Sequence, residues 1–185
     1  LVFNHINKNI YDKNKVPEIY KNIKLNKNHL NYLNNLKYPN INKSNETLNP
    51  FISKFFGGNY SKKSSVFLKD FDIKIQNKLI KISNYYKPYL EQLINKKLYL
   101  TNSKYKIYIL RYEGSEYNFP WHYDDESTNY YRAIFLFKRK GFIPEFEYID
   151  KNNKIKKINY NIGEGIFFKG STTFHRVKKS NNPNS

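Results

Sequence analysis

RYEGSEYNFPWHYDDESTNYYR, residues 111–132, holds the only tryptophan of the chain and one of its four histidines. Just before it, KYKIYILRYE (104–113) alternates apolar and polar residues. Just after it, YYRAIFLFK (130–138) is a nearly continuous apolar run. A period of two marks β-strands, so the stretch links two strands and Trp121-His122-Tyr123-Asp124 falls at a strand end. Residues i and i+2 of a strand point to one face. His122 and Asp124 therefore converge on one side, and Trp121 and Tyr123 point to the other.

Working outward, the period of two persists downstream. EFEYID is expected to pair with KIKKINY across an Asp150–Asn153 turn, GEG (163–165) interrupts the pattern before the strand IFFK, and TFHRVKK supplies a last strand. Upstream the period changes. From Asp72 to about Leu100, Ile75, Leu79, Ile82, Tyr86, Leu90, Leu93 and Ile94 recur at helical spacing. Asp70 or Asp72 is the expected N-cap, and Pro88 is expected to kink or split the helix. SVFLKD reads as a short strand and FFGGNYSKKSS (55–65) as a loop. HLNYLNNL (29–36) reads as a short helix, followed by a loop between Pro39 and Pro50. Residues 1–64 are rich in Asn and Lys and weakly periodic, an N-terminal arm peripheral to a main domain over 65–185. A helix followed by six or more short strands predicts a mainly β fold with backing helices, a β-sandwich or jelly roll.

Composition narrows the function classes. At 185 residues the chain is most simply one domain with a full core. It has no run of 18 apolar residues, so no membrane-spanning helix is expected. Nor does LVFNHINKNIYDKNK have the order of a signal peptide. The chain opens on Leu1 and lacks Met, which reads as a fragment of a longer protein. Absence of Cys excludes disulfides and thiolate metal sites, and fits a reducing compartment such as the cytoplasm. The net charge of +18 invites a nucleic-acid partner. Yet the cations are 29 Lys against 4 Arg, beside 28 Asn. That is the mark of an AT-rich coding sequence, whereas a base-reading surface adds Arg. The charge is read as solvated surface.

The pair His122 and Asp124 supplies two of the three ligands of a facial triad for non-haem Fe(II). The alternative is a His and an Asp hydrogen-bonded to each other at a strand end. A third ligand has few sources: His5 and His29 lie in the polar arm, and His175 follows an apolar strand in TTFHRV.

The flanking pattern resembles the Fe(II)- and 2-oxoglutarate-dependent dioxygenases, most closely their prolyl-4-hydroxylase-like branch. The motifs are Tyr112-Glu113-Gly114-Ser115-Glu116-Tyr117, then His122-Tyr123-Asp124, then Arg132 opening RAIFLF. GFIPEFEYID (141–150) follows, with Pro144 where the family has a glycine, and Gly165-Ile166-Phe167-Phe168 and His175-Arg176-Val177 close the series. The likeness covers roughly residues 65–185. It implies a double-stranded β-helix with Fe(II) held by His122, Asp124 and His175. It also implies 2-oxoglutarate as cosubstrate, ascorbate as accessory reductant, and hydroxylation of a prolyl or other amino-acid substrate, peptide or small molecule. Tyr112 would hydrogen-bond 2-oxoglutarate, or else is a core Tyr of its strand.

One family feature is missing. The cation that anchors the far carboxylate of 2-oxoglutarate lies nine or ten residues after the second His, which here falls on Asn184 or Ser185. The anchor is expected just past Ser185, or else Lys138 stands in for it, against the simpler reading of Lys138 as an exposed strand-end Lys. Asp125 and Glu126 read as a solvated turn or as contacts to a polar substrate. Trp121-His122-Tyr123-Asp124-Asp125-Glu126 also looks like the corresponding segment of AlkB-type nucleic-acid demethylases, although Leu110 stands where that branch has Asn. A third alternative is a catalytically silent jelly-roll binding module.

Overall fold

The computed structural model describes residues 11–39, 62–102, 106–113, 118–124, 129–139, 144–159 and 161–179, apart from side chains 62–65, 111–113, 118–120, 144 and 179. Nine strands and two α-helices are found there, with all strand pairs antiparallel, so the protein is mainly β. No helix among the described residues is long and apolar enough to cross a membrane. The chain divides into two compact units.

One unit holds β2 (Lys62–Phe67), a 3-10 turn (Leu68–Asp70), helix α2 (Ile73–Ile94) and β3 (Tyr108–Glu113). β2 pairs with β3 over six residues each, from Lys62 opposite Glu113 to Phe67 opposite Tyr108. Helix α2 starts where the sequence places its cap: the Asp72 side chain accepts from the Ile75 N–H at 2.9 Å. It ends on Asn95 in the left-handed conformation, φ 51°. Pro88 does not split it. Leu79, Ile82, Tyr86, Leu90 and Ile94 are buried on one face on both sides of the proline, and that continuous burial outweighs the one lost hydrogen bond. Asp72→Ala is expected to lower stability by about 1 kcal/mol in urea denaturation, with Asp72→Asn close to neutral. Equal losses in the two variants would remove the cap from the account of this helix.

The other unit holds β1 (Ile19–Lys24), α1 (Lys27–Asn34), β4 (Asn118–His122), β5 (Tyr131–Phe135), β6 (Pro144–Ile149), β7 (Ile155–Ile158), β8 (Glu164–Lys169) and β9 (His175–Lys179). They form a three-stranded sheet, β1-β8-β5, and a four-stranded sheet, β4-β9-β6-β7. β1 lies within the segment 1–64 that the sequence assigns to a peripheral arm, yet it hydrogen-bonds β8. Its period of two is hidden by a register shift between Tyr20 and Ile23, with Asn22 at φ 61°.

The core of this unit lies between its sheets. Phe146, Tyr148 and Ile158 of one and Ile166 and Phe168 of the other are buried together, with Ile19, Ile134, Leu136 and Val177 packed against them. β8 is central in its sheet, so its run Gly165-Ile166-Phe167-Phe168 is buried throughout. Phe167 faces the opposite side, stacked on Tyr131 with ring centroids 5.2 Å apart. The expected β6–β7 hairpin is present. The Asp150 carboxylate closes its turn by accepting from the Asn152 and Lys154 N–H groups, each at 2.9 Å. The segments 55–61, 114–117, 125–128 and 140–143, which include parts of the expected loops and motifs, lie outside the described residues.

Candidate metal centre

β4 and β9 are neighbours, and His122 lies directly opposite His175 in their register. An extra residue in β4 between Phe119 and His122 shifts the register just before the histidine, the kind of bulge that re-aims a side chain. The two imidazole centroids are 4.3 Å apart. The chain leaves β4 after His122, and the Asp124 N–H bonds to the Gly170 carbonyl at 3.1 Å in the loop between β8 and β9. That bond draws the carboxylate back over the two rings. Asp124 Oδ1 lies 3.8 Å from His122 Nε2, and one ligand atom from each of His122, Asp124 and His175 falls within 4.8 Å of the others. Trp121 and Tyr123 face away as alternation requires; both pack on Phe174, with centroids at 5.5 Å and 4.9 Å.

His175 is 4% exposed. Phe146 stacks on its ring at 5.1 Å and Phe168 meets it edge-on at 4.9 Å. Its Nδ1 lies 2.8 Å from the Thr173 carbonyl. A carbonyl only accepts, so Nδ1 carries the proton and Nε2 keeps its lone pair. Burial holds the imidazole below its ordinary pKa, against the nearby Asp124 charge and the Thr173 bond, which raise it. The neutral form, the one that binds metals, is therefore favoured. His122 and Asp124 are only partly exposed, at 17% and 16% of their side-chain surfaces, and form the open side of the group.

Arg132 of β5 donates from Nε to Asp124 Oδ2. This is a cation the sequence marks only as the start of a strand; its partner lies eight residues earlier, a pairing that periodicity does not reveal. With Oδ2 committed to Arg132, Oδ1 is the oxygen turned toward His122. Ligands at right angles around an ion with bonds of about 2.1 Å sit about 3 Å apart. The group is wider than that, with ligand atoms up to 4.8 Å apart, so an ion would have to draw the side chains together. Two imidazoles and one carboxylate on one side of an ion match the donor set of a facial triad.

Neither Lys138 nor His29 is among the three residues of this group. Lys138 is exposed, three residues past the end of β5. Leu136, beyond that end, exchanges hydrogen bonds with the Gly163–Glu164 turn, whereas Arg132 at the triad is opposite Phe168. Tyr112 belongs to β3, opposite Lys63 in the other unit, and its side chain is outside the description. His29 lies in α1, and His5, Asp125 and Glu126 are outside the described residues. Compared with protein-family models, with curated proteins and with solved structures, the chain matches none.

Proposed function

We propose that this chain is an Fe(II)- and 2-oxoglutarate-dependent dioxygenase that hydroxylates a C–H bond in a prolyl or other amino-acid substrate. One observation carries the reading. Ligand atoms of His122, Asp124 and His175, drawn from segments about fifty residues apart, lie within 4.8 Å of one another. The sequence motifs that resemble the prolyl-4-hydroxylase-like branch supply the choice of metal, cosubstrate and reaction. Strands β4, β5 and β6 alternate between the two sheets of their unit, and β8 and β9 do so again after the β6–β7 hairpin, which supports reading that unit as a double-stranded β-helix.

In this reading His122 Nε2, Asp124 Oδ1 and His175 Nε2 hold Fe(II). The Thr173 carbonyl fixes the proton on His175 Nδ1, and Arg132 keeps Asp124 to one coordinating oxygen. Phe146 and Phe168 keep water from the buried ring. Fe(II) with 2-oxoglutarate and dioxygen would supply the oxidising chemistry: one oxygen atom goes to the substrate C–H bond and the other to succinate, as 2-oxoglutarate loses CO2. Arg132, the cation that touches the triad, is committed to Asp124, so no described side chain is assigned to the far carboxylate of 2-oxoglutarate.

The test is succinate release from 2-oxoglutarate with Fe(II) and ascorbate, alongside mass spectrometry of a prolyl-peptide library for a gain of one oxygen atom. Wild type is expected to release succinate only with iron present. His122→Ala is expected to lose at least about a hundredfold, since one ligand of three is gone. Iron binding that is the same in wild type and His122→Ala would overturn the site. Iron binding without succinate would leave a metal-holding module and remove the dioxygenase.

A further inference from the structure

The acceptor that orients His175 is a main-chain carbonyl, that of Thr173. What holds that carbonyl then decides where the ring points. Two bonds do so. The Thr173 N–H donates to the Lys169 carbonyl at 3.0 Å within the turn. The Thr173 hydroxyl, fully buried, donates to the Glu18 carbonyl at 3.3 Å. Lys169 N–H gives the same Glu18 carbonyl a second donor at 2.9 Å. Glu18 immediately precedes β1, far from the triad in sequence.

The Glu18 carboxylate reaches a second carrier of the site. Tyr131 Oη donates to it, 2.9 Å from each oxygen, and Tyr20 Oη lies 3.3 Å from Oε1. Tyr131 is the chain neighbour of Arg132, which grips Asp124. One residue thus fastens the β8–β9 loop through its carbonyl and strand β5 through its side chain. Both carriers hold a prospective ligand in place.

We propose that Thr173 and Glu18 are positioning residues that aim the His175 ring for a divalent ion, so that the segment leading into β1 is a working part of the metal centre. The inference rests on the metal reading above. Metal-ligating imidazoles depend on the partner of their second nitrogen, and loss of such a partner weakens binding about tenfold to a hundredfold. Here the partner is held at one remove, through a threonine that the sequence marks only as the first residue of the expected strand TFHRVKK.

Co(II) titration, followed by visible absorption, and nitrogen-15 NMR of the histidine rings in the metal-free protein test it together. Wild type is expected to bind Co(II) with the His175 proton on Nδ1. Thr173→Val removes the hydroxyl with little change of shape. It is expected to weaken Co(II) binding about tenfold and to populate the opposite tautomer. Glu18 keeps its Lys169 donor in that variant, which spares the fold. Thr173→Ser is expected to restore both readings, and Glu18→Ala, which frees Tyr131 but keeps the carbonyl, to show a smaller loss. Thr173→Val with wild-type affinity and tautomer would overturn the proposal even where wild type binds Co(II). A wild-type protein that takes up no Co(II) would instead remove the metal reading itself, and the proposal with it.

Discussion

Glu147→Ala is expected to cost about 3 kcal/mol of folding stability, the low end of the range for breaking a buried ion pair. The Glu147 side chain is 1% exposed, although it points away from the core cluster. Alternation along β6 and β9 puts Phe146, Tyr148, His175 and Val177 inward and leaves Glu145, Glu147, Arg176 and Lys178 on the outer face. Register then sets Glu147 opposite Arg176 and Lys157, and Glu145 opposite Lys178. Arg176 bonds Glu147 Oε2 from Nε at 2.7 Å and from Nη2 at 2.6 Å. Lys178 Nζ lies 3.0 Å from Oε1 and Lys157 Nζ 3.7 Å. Without the carboxylate, three cations share one face of a small sheet. Arg176 keeps the Trp121 ring 4.8 Å below it, and Lys178 can lean on Glu145 at 3.7 Å. Those partners keep the figure at the low end.

The same cluster has a pH signature. Burial pushes the Glu147 carboxyl up, but the hydrogen bonds from Lys178 and Arg176 and their charges outweigh it and hold it below its ordinary 4.5. Where the folded pKa is the lower, the unfolded chain binds more protons between the two values, so stability rises with pH there. The contribution of Glu147 is whole above about pH 4.5 and drains as pH falls through the folded value. Urea midpoints measured from neutral pH downward on wild type and Glu147→Gln are expected to converge in acid. A neutral-pH loss for Glu147→Ala under about 1 kcal/mol would mean that the pairs behave like surface ones.

What was legible in the sequence follows from the range of the interactions involved. His122 and Asp124 are marked by residue type and by strand alternation, both local, His175 by the resemblance to a known family, and the Asp72 cap and the Asp150 turn are closed by bonds to residues two to four positions away. Strand β1 is hidden because Asn22 and the register shift break its period. Arg132, Gly170 and Thr173 are hidden because their roles depend on which loop meets which strand. The fate of Pro88 was decided by burial on both sides of it, a tertiary effect that propensity does not contain. Lys138 was drawn from a family pattern, and its strand ends three residues short of it.

Gly170→Ala is expected to weaken divalent-metal binding by roughly a hundredfold, at the upper end for loss of a ligand's support. The glycine is there for space. A Cβ at position 170 would sit 2.5 Å from Asp124 Cβ and 2.7 Å from its Cγ, with the carboxylate oxygen Oδ2 closer still. Asp124 cannot simply swing aside, because Arg132 holds Oδ2 and the Gly170 carbonyl holds its N–H. Moving the loop instead pulls on the bond from Gly170 N–H to the Tyr130 carbonyl at 3.3 Å and on the Thr173 carbonyl that orients His175. Either response displaces a residue of the candidate metal group. The cost to folding is expected at about 2 kcal/mol, as for overpacking elsewhere, so the protein stays folded and the metal loss can be read. Adding Asp124→Gly to Gly170→Ala removes every side-chain atom in the clash, the Cβ included. Stability is then expected to recover relative to Gly170→Ala alone, a coupling that a double-mutant cycle measures, while metal binding stays lost. Co(II) titration paired with urea denaturation of the four proteins decides it. Wild-type affinity in Gly170→Ala would mean that the carboxylate is free to move and that the loop does not hold it for an ion.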